Sequence, residues 1–416
     1  MTSRLRIIVT GLVGLYPVGG VAWDYLQYLI GLTRLGHDVY YYEDTWSWPY
    51  HPVEKTYTSD ARYSVQYIAE FLQRYAPELG ERWLYRHLHE QAFGMSPRAF
   101  DEIARTADLF INISGACMIP DRLSERCIKV FVDTDPGYNQ IVLSERPDWS
   151  ENVDRWCAGV EAHDEHFTYA ENIYGADCLV PRLGFSWKTT RMPIVTSLWT
   201  SIAAHPADAT AAWTTVMTWN AFKGCLSYRG TEYKSKSGEF EGLIDLPQRI
   251  EQTLTVAVGG ANAPLQRLER HGWRVIDGPA TTLTPAQYQG FIQTSRGELS
   301  PAKHVYVAMR TGWFSCRSAC YLAAGRPVVV QDTGFRAMLP VGEGILAFST
   351  MDEAVDAMNS VEADYHRHTR AAREIAGEYF DSDSVLKHLI DETLAFKPVP
   401  SVHSNDQSPD KAPGPG

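Results

Sequence analysis

Residues 311–334 read Thr-Gly-Trp-Phe-Ser-Cys-Arg-Ser-Ala-Cys-Tyr-Leu-Ala-Ala-Gly-Arg-Pro-Val-Val-Val-Gln-Asp-Thr-Gly. No other stretch constrains the fold as strongly. It runs from a polar loop into a short helix of small residues, meets a glycine stop at Gly325, and continues past Pro327 as the apolar run Val328-Val329-Val330. An uninterrupted β-branched run of this length suits a strand buried on both faces of a parallel sheet. Ser315, Arg317 and Ser318 fall where the helix begins, over 318–325. A helix start carries unpaired N–H groups and a partial positive charge, which suit a phosphate. Arg317 adds a planar fork for phosphate oxygens.

The rest of the chain repeats the strand-then-helix pattern. Residues 5–12 predict a first strand, followed by a loop with Gly11, Gly14, Gly19 and Gly20. Val21, Tyr25, Leu29, Leu32 and Leu35 then recur at helical spacing, Gly36 stops the helix, and 38–44 predicts a second strand. Residues 60–106 read as mostly helical. Further strands are expected at 109–113, 129–133 and 167–169. Near 188–212, Pro193, Pro206 and an Ala/Thr/Ser run suggest a hinge, and 213–219 reads as a new first strand. Strands at 254–259, 273–276, 304–308 and 328–331 continue a second sheet, with helices at 363–378 and 384–395, the latter capped by Asp383 or Ser384.

The expected class is α/β, with two doubly wound Rossmann-like parallel-sheet domains facing a cleft. The domains are placed at 1–190 and 191–396, with 397–416 as a flexible tail. A formal charge of −12 and the lack of a long Lys/Arg block argue against a nucleic-acid partner. The scattered, odd set of 7 Cys fits a reducing cytoplasm better than a disulfide framework. No apolar run is long enough for an integral membrane segment.

The 311–334 segment resembles the donor half of GT-B-type glycosyltransferases, in which a loop leads to a helix ending in Ala-x-Gly-x-Pro-Val-Val. Residues 342–348 and the helical stretch from Asp352 resemble that family's ending, and Pro17-Val-Gly-Gly-Val21 resembles its N-terminal loop. The resemblance implies a transferase that moves a sugar from a nucleotide-diphosphate sugar to a hydroxyl of a small-molecule or glycan acceptor. The diphosphate would lie at the helix start without a metal, and the donor substrate would be the only cofactor-like group. Retaining members often carry two Glu eight positions apart. The corresponding positions here are Gly312 and Cys320, so the usual ribose-holding acid is absent.

Candidate site residues follow from these readings. Gly19 and Gly20 would let the backbone approach the donor. Ser315, Arg317, Ser318 and Thr333 would meet phosphate or sugar oxygens. Lys303 would pair with the diphosphate and Glu298 would hold a ribose or sugar hydroxyl, or both would belong to a solvated loop over 295–303. Arg317 would otherwise form a structural ion pair. Asp332 would bind sugar hydroxyls or cap the next turn, and Tyr233-Lys-Ser-Lys236 would add a basic contact to the donor or form a mobile loop. Asp133, at the end of a strand and before Thr134-Asp135-Pro136-Gly137, is the candidate general base, with Asp24 as the second candidate. The same Asp-x-Asp is open to a metal reading and to a simple turn. Two rival functions remain: a dinucleotide-dependent oxidoreductase, with Glu43 or Asp44 as the ribose acid, and a two-lobed binding protein without catalysis.

Overall fold

The computed structural model describes residues 4–115, 117–149, 152–200, 210–220, 226–260 and 262–395. Pro206 of the expected hinge and the expected 397–416 tail lie outside the described residues.

Arg6–Thr10 (β1) opens the first sheet. Ile7, Ile8 and Val9 are fully buried because helices cover both faces. The helix Gly19–Arg34 (α1) follows, and Leu26, Leu29 and Leu32 form part of its buried surface. Then come Asp38–Thr45 (β2), Trp83–His87 (β3), Gln91–Gly94 (β4), Leu109–Ile113 (β5), Ile128–Asp133 (β6), Glu165–Thr168 (β7) and Trp187–Thr189 (β8). Their order is β8-β7-β6-β5-β1-β2-β3-β4. All neighbours are parallel except β3 and β4. The strand order reverses at β1, so the loops after β1 and β5 flank the switch point, where open α/β sheets bind ligands.

The second sheet comprises Trp213–Thr218 (β9), Leu254–Gly259 (β10), Arg274–Asp277 (β11), Gly297–Ser300 (β12), Val328–Gln331 (β13) and Ile345–Phe348 (β14). It is parallel throughout, in the order β11-β10-β9-β12-β13-β14. This is the 3-2-1-4-5-6 order of a dinucleotide-binding sheet. The helices Pro285–Thr294 (α2) and Cys316–Ala323 (α3) pack beside it, and Ser382–Leu394 (α4) closes the described chain. Both expected parallel-sheet units are therefore present.

Three local expectations need correction. The stretch 60–106 is not mostly helical: Arg62–Tyr75 and Pro97–Ala104 are helices, but β3 and β4 lie between them. There Leu84 and Tyr85 bury opposite faces against the sheet, and β2 gives β3 its pairing partner. Residues 304–308 form a helix, not a strand, and the strand comes earlier, at β12. Charge flanking Glu298 disguised β12 as a solvated loop, yet Glu298 is fully buried and ion-paired. The last helix is capped by Asp381, whose carboxylate accepts from Asp383 N.

The two units are closed on each other. Trp23 of α1 donates its indole N–H to Pro285 O at 2.9 Å, and Gln27 Nε2 lies 3.7 Å from Cys320 Sγ of α3. The chain crosses between the units twice, and the crossings touch: Ile194 N donates to Phe380 O and Ser382 N donates to Ile194 O. Beyond this point α4 packs on α1. A Cβ at Gly31 would come within 2.5 Å of Leu386, so glycine is what permits that contact.

Candidate functional site

β12 ends at Ser300 and β13 at Gln331, and both residues line a small cleft at the start of α3. Ser315, Ser318, Thr333 and the loop residues Trp313 and Phe314 complete much of its wall. Ser315 is the N-cap residue of α3, but its hydroxyl does not cap the helix. The Ser318 hydroxyl is buried and has no hydrogen-bond partner among the described residues. Thr333 donates to Trp313 O at 2.6 Å, which fixes the loop against the strand end. Gln331 is held by Glu239, whose Oε2 accepts from Nε2 at 2.6 Å. The expected grouping of Ser315, Ser318 and Thr333 around the helix start is present.

Lys236 lies within the field of Arg317, a residue in the first turn of α3. It opens the short helix Lys236–Phe240 and is half-buried. Its ammonium has no hydrogen-bond or ion-pair partner among the described residues. Burial, and then the field of Arg317, hold it well below the usual lysine range; Glu298 opposes that shift and Lys303 adds to it. With Glu298 bonded to Arg317 and two other cations nearby, an added anion would favour the charged form of Lys236.

Several expected ligand contacts are occupied by protein instead. Arg317 Nε donates to Glu298 Oε1 at 2.5 Å, Nη1 to Val216 O at 2.9 Å and Nη2 to Ser300 Oγ at 2.9 Å. Arg317 thus braces α3 to β9 and β12, and Glu298 is its counter-ion. Lys303 pairs with Asp135 of the first unit, and Tyr306 donates to the same carboxylate. Asp332 accepts from Gly334 N at 2.9 Å and pairs with Arg310 and Arg336, so it orders the turn after β13. Gly19 donates its N–H to Thr282 O at 2.9 Å, and a Cβ there would come within 2.4 Å of Thr284 O. A Cβ at Gly20 would meet the Tyr288 ring. The close approach that these glycines allow is between the two units.

Asp133 and Asp24 differ in the same decisive respect. Asp133 is fully buried, and its Oδ1 accepts from Asn139 Nδ2 at 2.7 Å and Asp135 N at 3.1 Å. Its Oδ2 accepts from Gln140 Nε2 and Thr168 Oγ1, each at 2.7 Å. Burial raises its carboxyl to about 6 against the pull of those hydrogen bonds. With four donors seated on it, Asp133 orders the β6 turn and offers nothing to an acceptor. Asp24, in α1, is half-buried and accepts from the Cys316 thiol at 2.8 Å. Burial raises its carboxyl to about 6, while the Cys316 hydrogen bond and the Arg317 charge lower it.

Glu43 accepts from Gly14 N and Leu15 N, each at 2.7 Å, and from the Tyr41 hydroxyl at 2.6 Å. Asp44 is engaged by Tyr42, Arg86 and His89. Neither is free to take a ribose. Among the described residues, no group of three or more His, Cys, Asp and Glu side chains is arranged to hold a metal ion. Among the same residues, no helix is long and apolar enough to cross a membrane.

Sequence reading assigned Cys316 no role and gave Lys236 no more weight than the rest of its loop. The signal for both was topological. Each stands just before or within the first turn of a helix at the C-terminal edge of the second sheet.

Two parallel-sheet units closed on each other, with strand ends and a helix start at the seam, define the GT-B class of fold. Solved structures with this fold include AviGT4, a glycosyltransferase involved in avilamycin A biosynthesis. It is 13% identical, with a TM-score of 0.50 over 94% of this chain and 97% of that one. Alpha-glucosyltransferase (AGT) in complex with UDP is 11% identical, with a TM-score of 0.56 over 94% of this chain and 100% of that one. HepE from Anabaena in complex with UDP-glucose is 12% identical, with a TM-score of 0.52 and the same coverage. No protein-family model and no curated protein sequence matches the chain.

Proposed function

We propose that the protein is a cytoplasmic glycosyltransferase that moves a sugar from a nucleotide-diphosphate sugar to an acceptor hydroxyl. The observation that carries this reading is the partnerless Lys236 ammonium beside the start of α3. The donor diphosphate completes the site by taking the Lys236 charge, the first-turn N–H groups of α3 and the Ser318 hydroxyl. AGT with UDP and HepE with UDP-glucose are precedents for such ligands on this fold.

As the bond between the anomeric carbon and the phosphate oxygen breaks, negative charge builds on the leaving diphosphate. Fixed dipoles and Lys236 stabilise it without reorganising. Arg317 contributes by holding the start of α3 in place. Asp24 takes the proton of the acceptor hydroxyl while its oxygen attacks the anomeric carbon. A carboxyl near 6 is ionised at neutral pH yet more basic than an exposed aspartate. The closed cleft at the start of α3 holds about 10 Å³ of free space, room for a water and far less than the roughly 300–1,000 Å³ typical of ligand pockets. The units therefore part to load the donor and close to exclude water. Because protein cations and dipoles face the diphosphate, the transfer is metal-independent.

The test is thermal unfolding of the protein with UDP, GDP, dTDP and their hexose derivatives, followed by nucleotide release from the stabilising donor with and without EDTA. A ligand bound only by the native state raises the midpoint. At least one nucleotide should do so, and turnover should survive EDTA. Stabilisation without turnover would support a non-catalytic binding protein, and no stabilisation by any nucleotide would overturn the donor site.

A further inference from the structure

Asp24 and Cys316 belong to different units. Asp24 stands in the second turn of α1, behind the first sheet's opening strand. Cys316 is the first residue of α3, which precedes β13 of the second sheet. The thiol donates to Asp24 Oδ1 at 2.8 Å, so this hydrogen bond spans the seam between the units. One turn further on, Gln27 and Cys320 make a second crossing, which fixes the register of α1 against α3.

We propose that Cys316 is the positioning residue for the Asp24 carboxylate, and that it holds the carboxylate in its working orientation only while the two units are closed. The proposal rests on the reading of Asp24 as the base. A carboxylate has two oxygens. The thiol engages one and leaves the other for the acceptor proton. A thiol is a weak donor, so it fixes the rotamer while quenching little of the carboxylate's basicity.

The other titratable groups that face Asp24 do not duplicate this role. Tyr25 and Tyr28 share its helix, Tyr169 and Tyr288 approach from the two units, and Cys320 and Arg317 lie on α3. Arg317 is the cation among them, and its guanidinium is committed to Glu298, Val216 and Ser300. The hydroxyls of Tyr28 and Tyr169 bond to each other at 2.7 Å. Cys316 is the group that donates to the carboxylate. When the units part to admit a donor, that donor leaves with α3. The base is then oriented only after closure, which protects a bound sugar from premature attack by water.

The test is a carboxyl-carbon NMR titration of the full chain labelled with carboxyl-13C aspartate, with the Asp24 signal identified by its loss in Asp24→Asn. Cys316→Val, which keeps the shape and removes the donor, should raise the Asp24 midpoint by roughly 0.4 to 1 pH unit. Cys316→Ser, whose hydroxyl also donates, should keep the midpoint at or below the wild-type value, which a packing role alone would not do. An unmoved midpoint in Cys316→Val overturns the proposal. If that variant does not fold, a Cys316→Ser midpoint displaced upward to the same extent also overturns it. The outcomes separate the two readings. A midpoint governed by Cys316 with nucleotide-sugar turnover indifferent to Asp24→Asn keeps the pair and rejects the base. Turnover abolished by Asp24→Asn with an unmoved midpoint keeps the base and rejects the pair.

Discussion

Lys236→Met should change nucleotide affinity and intrinsic stability in opposite directions. The substitution keeps an apolar stem of similar length and removes the ammonium. In the protein without ligand that ammonium is held well below the usual lysine range by burial and by Arg317, and it gains no hydrogen bond in return. A depressed lysine disfavours the fold while charged. Stability is therefore greatest above the unfolded lysine value and is lost as pH falls through the folded one. At neutral pH the variant should unfold at a higher temperature than the wild type. In the proposed donor complex the same ammonium would face phosphate oxygens, and a hydrogen bond to a charged group contributes about 1.5–3 kcal/mol. Its loss should weaken UDP binding roughly ten- to 150-fold. The assay pairs calorimetric titration with UDP and ligand-free thermal unfolding, using Lys234→Met as the control because Lys234 is exposed on the same loop. Unchanged UDP affinity in a folded Lys236→Met protein would refute the argument. So would an equal loss in the Lys234 control.

Three other outcomes follow from the same geometry. Arg317→Ala should lower stability by about 3–5 kcal/mol in chemical denaturation, because Glu298 would be left buried and uncompensated; a variant of wild-type stability would exclude the bracing role. Asp24→Asn should reduce transfer roughly 10²–10⁴-fold at pH 8 while leaving UDP affinity intact. Wild-type turnover should fall as pH drops through about 6, and a flat acidic limb would count against this base. Burial raises Glu43 from 4.5 to about 7, so its stabilising contribution is full below about pH 4.5 and is lost as pH rises through about 7. Over that interval the wild type should lose up to about 3 kcal/mol that Glu43→Gln does not, as read from urea unfolding at pH 5 and pH 8.

The fold was legible wherever burial was purely hydrophobic. Val328–Gln331, Leu254–Gly259 and Arg6–Thr10 announce themselves because a strand covered on both faces has nothing polar to hide it. β12 was hidden for the converse reason. Its Glu298 is buried by an arginine 19 residues away, a pairing that no local pattern reveals. The site divides along the same line. The helix start with Ser315, Ser318 and Thr333 was readable because it depends on local sequence. The fate of the charges depended on partners distant in sequence: Lys303 found Asp135 across the seam, and Asp133 found Gln140 and Thr168 within its own unit. Of the clustered cations, the one left without a partner was Lys236, and sequence spacing cannot show which charge the fold leaves uncompensated.

The return of α4 onto α1 sets a schedule for synthesis. Gly31 meets Leu386 across roughly 350 residues of intervening chain. At about 5–20 residues per second, a ribosome needs about 20 to 70 s to deliver α4 after α1 has emerged. For that interval the surface of α1 that α4 will cover stays open to solvent and to chaperones. The half of the molecule that is made first is thus completed last, and a ribosome that stalls late in the message leaves that half unfinished as well.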